Sequence, residues 1–510
     1  MNTPQSYLIV LLAGLISMVA PASAQTTTAD TPTVRLTIAD AEARALGRNP
    51  TLAQARLSTE LADYSIVQSR TAFTPTFSTS FEQRSQTAAG TSQLTGGAQV
   101  VTDNTSYQSG VAQLLPWGGR VSVDFTSGRN ASNNVFSTFN PRFSSSIAAA
   151  VTQPLLRGFA IDATRGQIEQ AEIGREVAGV RLTRQEATTL AAVRRAYWEL
   201  VYASDALENA RRSEALAERQ LDEDRLRVEI GALAEIDTLQ SEAEVATRLQ
   251  ASVQAEGAWR TTMVTLKQLI VADTQDPIWE AEVVPVDRPA PGAQPIDVGT
   301  AIRSALSNRT DIQEAQHDRD SIDLSLELAQ SERLWGVDLV AGYTATGIGG
   351  PQLVRGSNLG GTVVETVPGG YLDALTSVAG LDFPTWSVGL NVSVPLGTSR
   401  ADADVASARV QQRQVDSRIQ TLELQVAADI TRAGERVRSA AQQVQAAAVA
   451  RELSARRLEA EDARLDVGLS TTFLVLQAQR DLAAAETSEL RAALDHRVAL
   501  VDFELAQVAP

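Results

Sequence analysis

The spacing of apolar and polar positions changes period several times along the chain, and each change marks a different element. Trp386, Val388, Leu390, Val392 and Val394 alternate with Ser387, Gly389, Asn391 and Ser393, the two-residue period of a strand with one apolar and one polar face. Trp335, Val337, Leu339, Ala341 and Tyr343 alternate in the same way. Shorter versions occur at Phe77, Thr79 and Phe81, at Val121, Val123 and Phe125, and at Ile147, Ala149 and Val151. The segments between them are long and rich in Gly, Ser, Thr and Asn, which suits the outer loops of a membrane barrel. Further on the period becomes helical. Val415, Ile419, Leu422, Val426, Ile430, Ala433, Val437, Ala440, Val444 and Ala447 recur three and four apart, a seam whose alanines permit close helix approach. Between Ala401 and Asp466 there is no Pro, and Gly434 is the only Gly. A single helix of about 65 residues, roughly 100 Å long, is therefore predicted. Gly166 to Glu229 predicts its counterpart, with less regular apolar spacing. Gly231 and Gly468 then offer left-handed turning points, and a long return helix follows each.

These elements occur twice. Ala41 to Leu52 lines up with Ala301 to Ile312, each opening its half with a short amphipathic helix. Val151-Thr152-Gln153-Pro154-Leu155 lines up with Val392-Ser393-Val394-Pro395-Leu396. Arg227-Val228-Glu229-Ile230-Gly231 matches Arg464-Leu465-Asp466-Val467-Gly468, with Leu239-Gln240 and Leu476-Gln477 beyond. Three landmarks in one order define a tandem duplication. The first unit spans 25–283, with strands over about 73–155 and a helical hairpin over about 166–273. The second spans 299–510, with strands over about 335–396 and a hairpin over about 401–507. Pro285, Pro289, Pro291 and Pro295 make 284–298 an extended connector.

Ahead of both units, Tyr7 to Ala20 is apolar and is followed by Ala22-Ser23-Ala24, so 1–24 reads as a secretory signal even though no Lys or Arg precedes the apolar run. Beyond it no stretch reaches the roughly 20 apolar residues of a membrane-spanning helix. A membrane crossing must then use strands. The absence of Cys removes disulfides and thiolate metal sites, and the two histidines, His317 and His496, stand apart; both read as solvated helix-surface residues. No metalloprotease, phosphate-loop or nucleophile-elbow motif occurs, and Gly347-Ile348-Gly349-Gly350 lacks the context of a dinucleotide loop. No enzyme activity, cofactor or metal is expected. A net charge of -17 disfavours nucleic acid and suits a cation-tolerant aqueous passage.

An open sheet in a bilayer leaves edge groups unpaired at several kcal/mol each, so it must close with other copies of the chain. Three copies with about four strands each give about twelve, enough for an open lumen. Leu114-Leu115-Pro116-Trp117-Gly118-Gly119-Arg120 suggests an added hairpin, which makes six strands per subunit the other possibility. A periplasmic or surface coiled-coil protein, structural or adaptor in role, is the rival reading, but it has no need of two alternating strand blocks.

Gln153-Pro154-Leu155-Leu156-Arg157-Gly158, Val394-Pro395-Leu396-Gly397, Val467-Gly468-Leu469-Ser470 and Leu476-Gln477-Ala478-Gln479, at matching places in a duplicated chain, resemble the TolC-type outer-membrane efflux protein family over essentially the whole mature chain. The resemblance implies an α+β membrane protein: a homotrimer with a β-barrel in outer-membrane lipid of a Gram-negative cell, continuous with a periplasmic α-helical barrel. It also implies a periplasmic adaptor and an inner-membrane RND or ABC transporter as partners, in a tripartite pump or type I secretion system. Ile230, Gly231, Ala232, Leu233, Val467, Gly468, Leu469 and Ser470 would be the adaptor-contacting tips. Many members carry acidic residues six and nine positions after the second tip glycine, at the periplasmic entrance. Leu474 and Gln477 stand there instead, which leaves Asp237 and Glu235, with Gln240, as the first-half candidates for the gate.

Overall fold

The computed structural model describes residues 32–90, 98–231, 234–288, 295–356, 361–397 and 399–510. Residues 1–24, read as a signal, lie outside that set. The first half begins with β1 (Thr33–Leu36) and α1 (Ile38–Arg48). A capping box starts α1, with Thr37 Oγ1 accepting from the Asp40 amide and the Asp40 carboxylate from the Thr37 amide. Asn49 then caps α2 (Pro50–Arg70), accepting from the Thr51 and Leu52 amides, and Pro50 takes the first-turn position where its missing N–H costs nothing. There follow β2 (Thr76–Ala89), β3 (Gln99–Leu114), β4 (Arg120–Ser132), β5 (Arg142–Pro154), α3 (Ala163–Glu229), α4 (Glu235–Ile270), α5 (Pro277–Glu280) and β6 (Glu282–Pro285). The second half contains α6 (Val298–Asn308), α7 (Thr310–Glu332), β7 (Gly336–Gly349), β8 (Gln352–Arg355), β9 (Val363–Val367), α8 (Tyr371–Gly380), β10 (Phe383–Ser393), α9 (Arg400–Asp466) and α10 (Thr472–Leu505).

The two longest helices, α3 and α9, have 67 residues each, about 100 Å at 1.5 Å per residue. Shorter helices complete a wall beside them. Near the sheet, α2 packs on α3, α3 on α7 and α7 on α9; toward the far end α4 packs on α3, α3 on α10 and α10 on α9. The wall is four helices wide along its whole length. Its predicted seam is buried at Val415, Val426, Ile430, Ala433, Val437 and Ala440.

Midway along the wall each half builds a core around its opening helix. Ala41 and Ala45 of α1 pack against Val193, Tyr197, Leu200, Leu266 and Ile270. Ala301 and Ala305 of α6 pack against Val426, Ile430, Val437, Leu500 and Phe503. Gly434 lets the second approach happen, since a Cβ there would meet Val298 Cγ2 at 2.7 Å. Tyr197 anchors the first core: its hydroxyl donates toward Leu36 O and accepts from the amides of Val286 and Asp287 at 3.1 Å. Burial pushes this phenol up to about 12, so it stays protonated and available as a donor. In the second core the duplicated position of Asn49 is Arg309, buried between Asp311 and Asp429 at 3.1 and 3.3 Å.

Three features depart from the sequence pattern. The connector starts inside β6, which pairs in parallel with β1, because Val283 is needed in the first core; residues 289–294 lie outside the described set. Behind each short opening helix stands a longer one, α2 or α7. Within 335–396 the chain forms β8, β9 and α8 between the two long strands.

Candidate channel wall and hairpin tips

The long strands form one sheet in the order β10-β7-β5-β4-β3-β2, every neighbouring pair antiparallel. Leu115 to Gly119 makes the β3–β4 turn, closed by Leu115 N–H to Gly119 O and Gly118 N–H to Leu115 O, with Gly118 at φ 84°. The subunit thus contributes six strands to the sheet, not four.

Reading across the register gives the chemistry of the two faces. One row runs Phe77, Val111, Val123, Ala149, Tyr343, Trp386, and a parallel one runs Val121, Val151, Ala341, Val388. Directly paired residues share a face, so this face is apolar, and Trp386 is 74% exposed on it. The intervening row runs Thr76, Ala112, Ser122, Ala150, Gly342, Ser387, and the next runs Ser78, Gly110, Asp124, Ala148, Thr344, Thr385. That face is small and polar. On β7 the apolar band extends from Val337 to Gly347, rising roughly 26 Å at about 3.4 Å per residue and a tilt near 40°. Trp117 and Trp335 mark the helix-side border, and Phe81 and Tyr107 the other, all of them exposed. Near that far border α8 lies on the apolar face, where Gly347 and Gly349 admit it: a Cβ would come within 2.1 Å of Ala374 O and 2.2 Å of Gly370 O. Among the described residues, no strand pairs with the outer edges of β2 and β10.

At the opposite end of the wall are the helix-hairpin tips. Gly231 and Gly468 both have φ 76°, and their amides donate to Val228 O and Leu465 O at 2.9 Å. A left-handed residue closing a helix in this way favours glycine. Each glycine is flanked by apolar side chains held in water: Ile230 is 78% exposed, Val467 69% and Leu469 79%. Ser470 turns inward and donates to Glu461 at 2.8 Å. Ala232 and Leu233 lie outside the described residues.

Of the gate candidates, Glu235 begins α4 and Asp237 sits in its first turn, although the Asp237 side chain is outside the described set. Gln240 is exposed on α4. Leu474 is in the first turn of α10 and exposed, while Gln477 is engaged, its amide donating to Asp481 at 2.9 Å. The candidates therefore occupy the starts of the two return helices.

Two buried carboxylates close to the tips were not legible as such. Asp224 of α3 accepts from Ser241 at 2.5 Å and from Gln220 at 3.0 Å. Glu244 of α4 takes Arg248 at 2.6 Å and, across to the second hairpin, Arg480 of α10 at 2.8 Å. Burial raises the Glu244 carboxyl, but hydrogen bonds from Arg480 and Arg248 outweigh it and hold the group below the usual glutamate range. Ser241, Glu244 and Ser252 are the buried positions of α4 there; the helical spacing was present, but the seam residues are polar. The histidines differ from their sequence reading in one case. His496 is buried, and burial, then the charge of Arg497, lowers its pKa. His317 stands 3.4 Å from Glu176 and Asp320. No described helix is long and apolar enough to cross a membrane, and no described cluster of His, Cys, Asp or Glu could hold a metal.

A two-faced sheet with open edges, continued by a four-helix-wide wall, defines the class of channel subunits that cross a membrane with strands and extend from it with helices. The model of the outer membrane efflux protein family matches residues 104–271 and 301–506, one stretch in each half, and the chain belongs to that family. It is an efflux-channel protein of the outer membrane and not an enzyme. Among solved structures, a membrane protein from Pseudomonas aeruginosa is similar with TM-score 0.66 and 16% identity, over 92% of this chain and 90% of that one. The Campylobacter jejuni CmeC outer membrane channel matches with TM-score 0.64 and 15% identity, over 92% and 85%. The Vibrio cholerae outer membrane protein VceC matches with TM-score 0.64 and 13% identity, over 92% and 95%. These likenesses show the fold. No curated protein sequence matches the chain.

Proposed function

We propose that the chain is exported through its 1–24 signal and forms a homotrimeric duct in outer-membrane lipid of a Gram-negative cell. Its helical wall reaches into the periplasm toward an adaptor and an inner-membrane RND or ABC transporter, serving a tripartite pump or a type I secretion system. One observation carries this reading: the sheet has an apolar face about as tall as a bilayer core, a polar face, and two free edges. In lipid those edges stay paired only if copies close on one another.

The tips are the proposed adaptor contacts. Ile230, Val467 and Leu469 present apolar side chains where a merely turning hairpin would carry polar ones. The first turns of α4 and α10 would line the periplasmic entrance, with Asp237 and Glu235 as charges, Leu474 as an apolar collar, and Gln240 and Gln477 as neutral neighbours.

Purified protein tests the reading in planar bilayers. Discrete conductance steps from a heat-labile species of three chains are expected; a freely soluble, non-conducting monomer would contradict it. The tip assignment has its own test. Gly468→Trp should abolish transport while trimers persist in the outer membrane, and retained transport would reduce the tip to a turn.

A further inference from the structure

Six strands per subunit change what the assembly can pass. In the sheet, Thr76 at the helix-side end of β2 leads across the register to Ser387 of β10, whereas β10 reaches its own helix-side end at Ser393. Levelling the two ends slides the register by about six residues over five strand steps, a tilt of roughly 40° at 3.4 Å per residue and 4.8 Å per strand. That is the tilt of a closed barrel. The even strand number also sets β2 of one copy antiparallel to β10 of the next, so closure needs no irregular joint.

Building on the trimeric channel reading, we propose that three copies close an eighteen-stranded barrel whose lumen admits large polar solutes from the outer side. Eighteen strands at this spacing and tilt have a circumference of roughly 110 Å and a backbone radius of about 18 Å, against about 12 Å for twelve strands. The helical wall matches the larger figure. Four helices per copy make twelve, and twelve axes about 9–10 Å apart also trace roughly 110 Å. Strands β5 and β10 can then feed α3 and α9 without a step in radius. The polar face keeps the space open at mid-height, because its two central rows are Ser, Thr, Ala and Gly with Asp124, while the charges Glu82, Arg84, Arg120, Arg142 and Asp338 lie on the same face toward its two ends. Allowing about 4 Å for such side chains leaves a lumen radius near 14 Å, against about 8 Å for twelve strands. Helix α8 does not fill it, since it packs over Ala345, Gly347 and Phe143 on the apolar face.

Polymer exclusion from the outer side tests this independently of the periplasmic entrance. Poly(ethylene glycol) of graded size is added to the outer chamber of a bilayer holding single trimers, with the full chain and with a variant lacking 99–140. That deletion removes β3 and β4, and β2 can still pair with β5 in antiparallel sense. The full chain should admit polymers of about 12 Å hydrodynamic radius and the variant only those below about 8 Å. Exclusion of everything above about 8 Å by the full chain would overturn the proposal, as would equal thresholds in two conducting proteins. If the variant fails to assemble, the threshold of the full chain decides alone. Absence of any conductance in the full chain would instead sink the channel reading beneath it.

Discussion

The first half of the chain contributes β2, β3, β4 and β5 to the sheet and the second half only β7 and β10, yet each half contributes one helix of 67 residues, one return helix and one glycine tip. The helical wall tolerates little variation, because α3, α7 and α10 each lie between two other helices and losing one would split the wall. A sheet can grow, provided it grows by hairpins. Two added strands return the chain to the side it left, so β5 still delivers the backbone to the start of α3. The turn at Gly118 and Gly119 joins β3 to β4, with Gly118 in the left-handed region.

The halves also differ in how their hairpins are sealed near the tips. In the second, Val475, Leu476 and Ala478 are buried. In the first, Ser241, Glu244 and Ser252 take the buried places, with Asp224 facing them across the hairpin. The apolar seal is generic, whereas the polar one depends on particular partners, above all the Glu244–Arg480 bridge between the halves.

The comparison can be broken most strongly at the two cores. Leu266→Ala in the first and Ile430→Ala in the second should each cost about 2–5 kcal/mol, the range for emptying a packed site. Matching losses in resistance of the assembled protein to urea would show the duplicated cores to be equivalent units, and a loss confined to one half would break the equivalence. Next in size is the polar seal. A double-mutant cycle of Glu244→Gln and Arg480→Gln should give a coupling of about 1–2 kcal/mol, reduced from a fully buried pair because Arg480 is half exposed. Acid should reproduce it: the depressed Glu244 pKa gives a contribution that is complete above the ordinary glutamate pKa of 4.5 and lost as pH falls through the lower folded value. A seal unchanged between pH 7 and pH 3 would contradict the ionised bridge.

Much of this contrast was visible in the chain itself. The α9 seam announced its helix because its buried positions are Val, Ile and Ala, and the β10 and β7 faces announced theirs by strict alternation. The polar positions of α4 carried no such signal, so Asp224 and Glu244 emerged only when the hairpin brought them to Ser241 and Arg480. Helix α8 was hidden for another reason. Its burial rests on Gly347 and Gly349 admitting a backbone, a tertiary fit that local pattern does not encode. Nor could the spacing decide between four and six strands, since β3 and β4 are legible as a hairpin without showing whether that hairpin joins the sheet.

Smaller effects sharpen the comparison of the tips. Gly231→Ala and Gly468→Ala should each cost about 1 kcal/mol, from a left-handed backbone that an added Cβ disfavours; no loss of thermal stability in either would mean that the turn relaxes. The smallest effect belongs to the entrance. Asp237→Asn should move the reversal potential in a salt gradient toward zero by a few millivolts, and Leu474→Asp should move it the other way and add divalent block. An unchanged potential in Asp237→Asn would make that residue an ordinary helix-start carboxylate.

The central claim is that the sheet closes between copies, and the chain's lack of Cys makes it directly testable by cross-linking in outer membranes. Ser80→Cys on β2 is combined with Ser387→Cys, Gly389→Cys or Asn391→Cys on β10, all on the polar face. The account predicts that at least one combination oxidises to a covalent ring of three chains, with the single substitutions giving none. Only intramolecular disulfides, or uncross-linked monomers in every register, would contradict it.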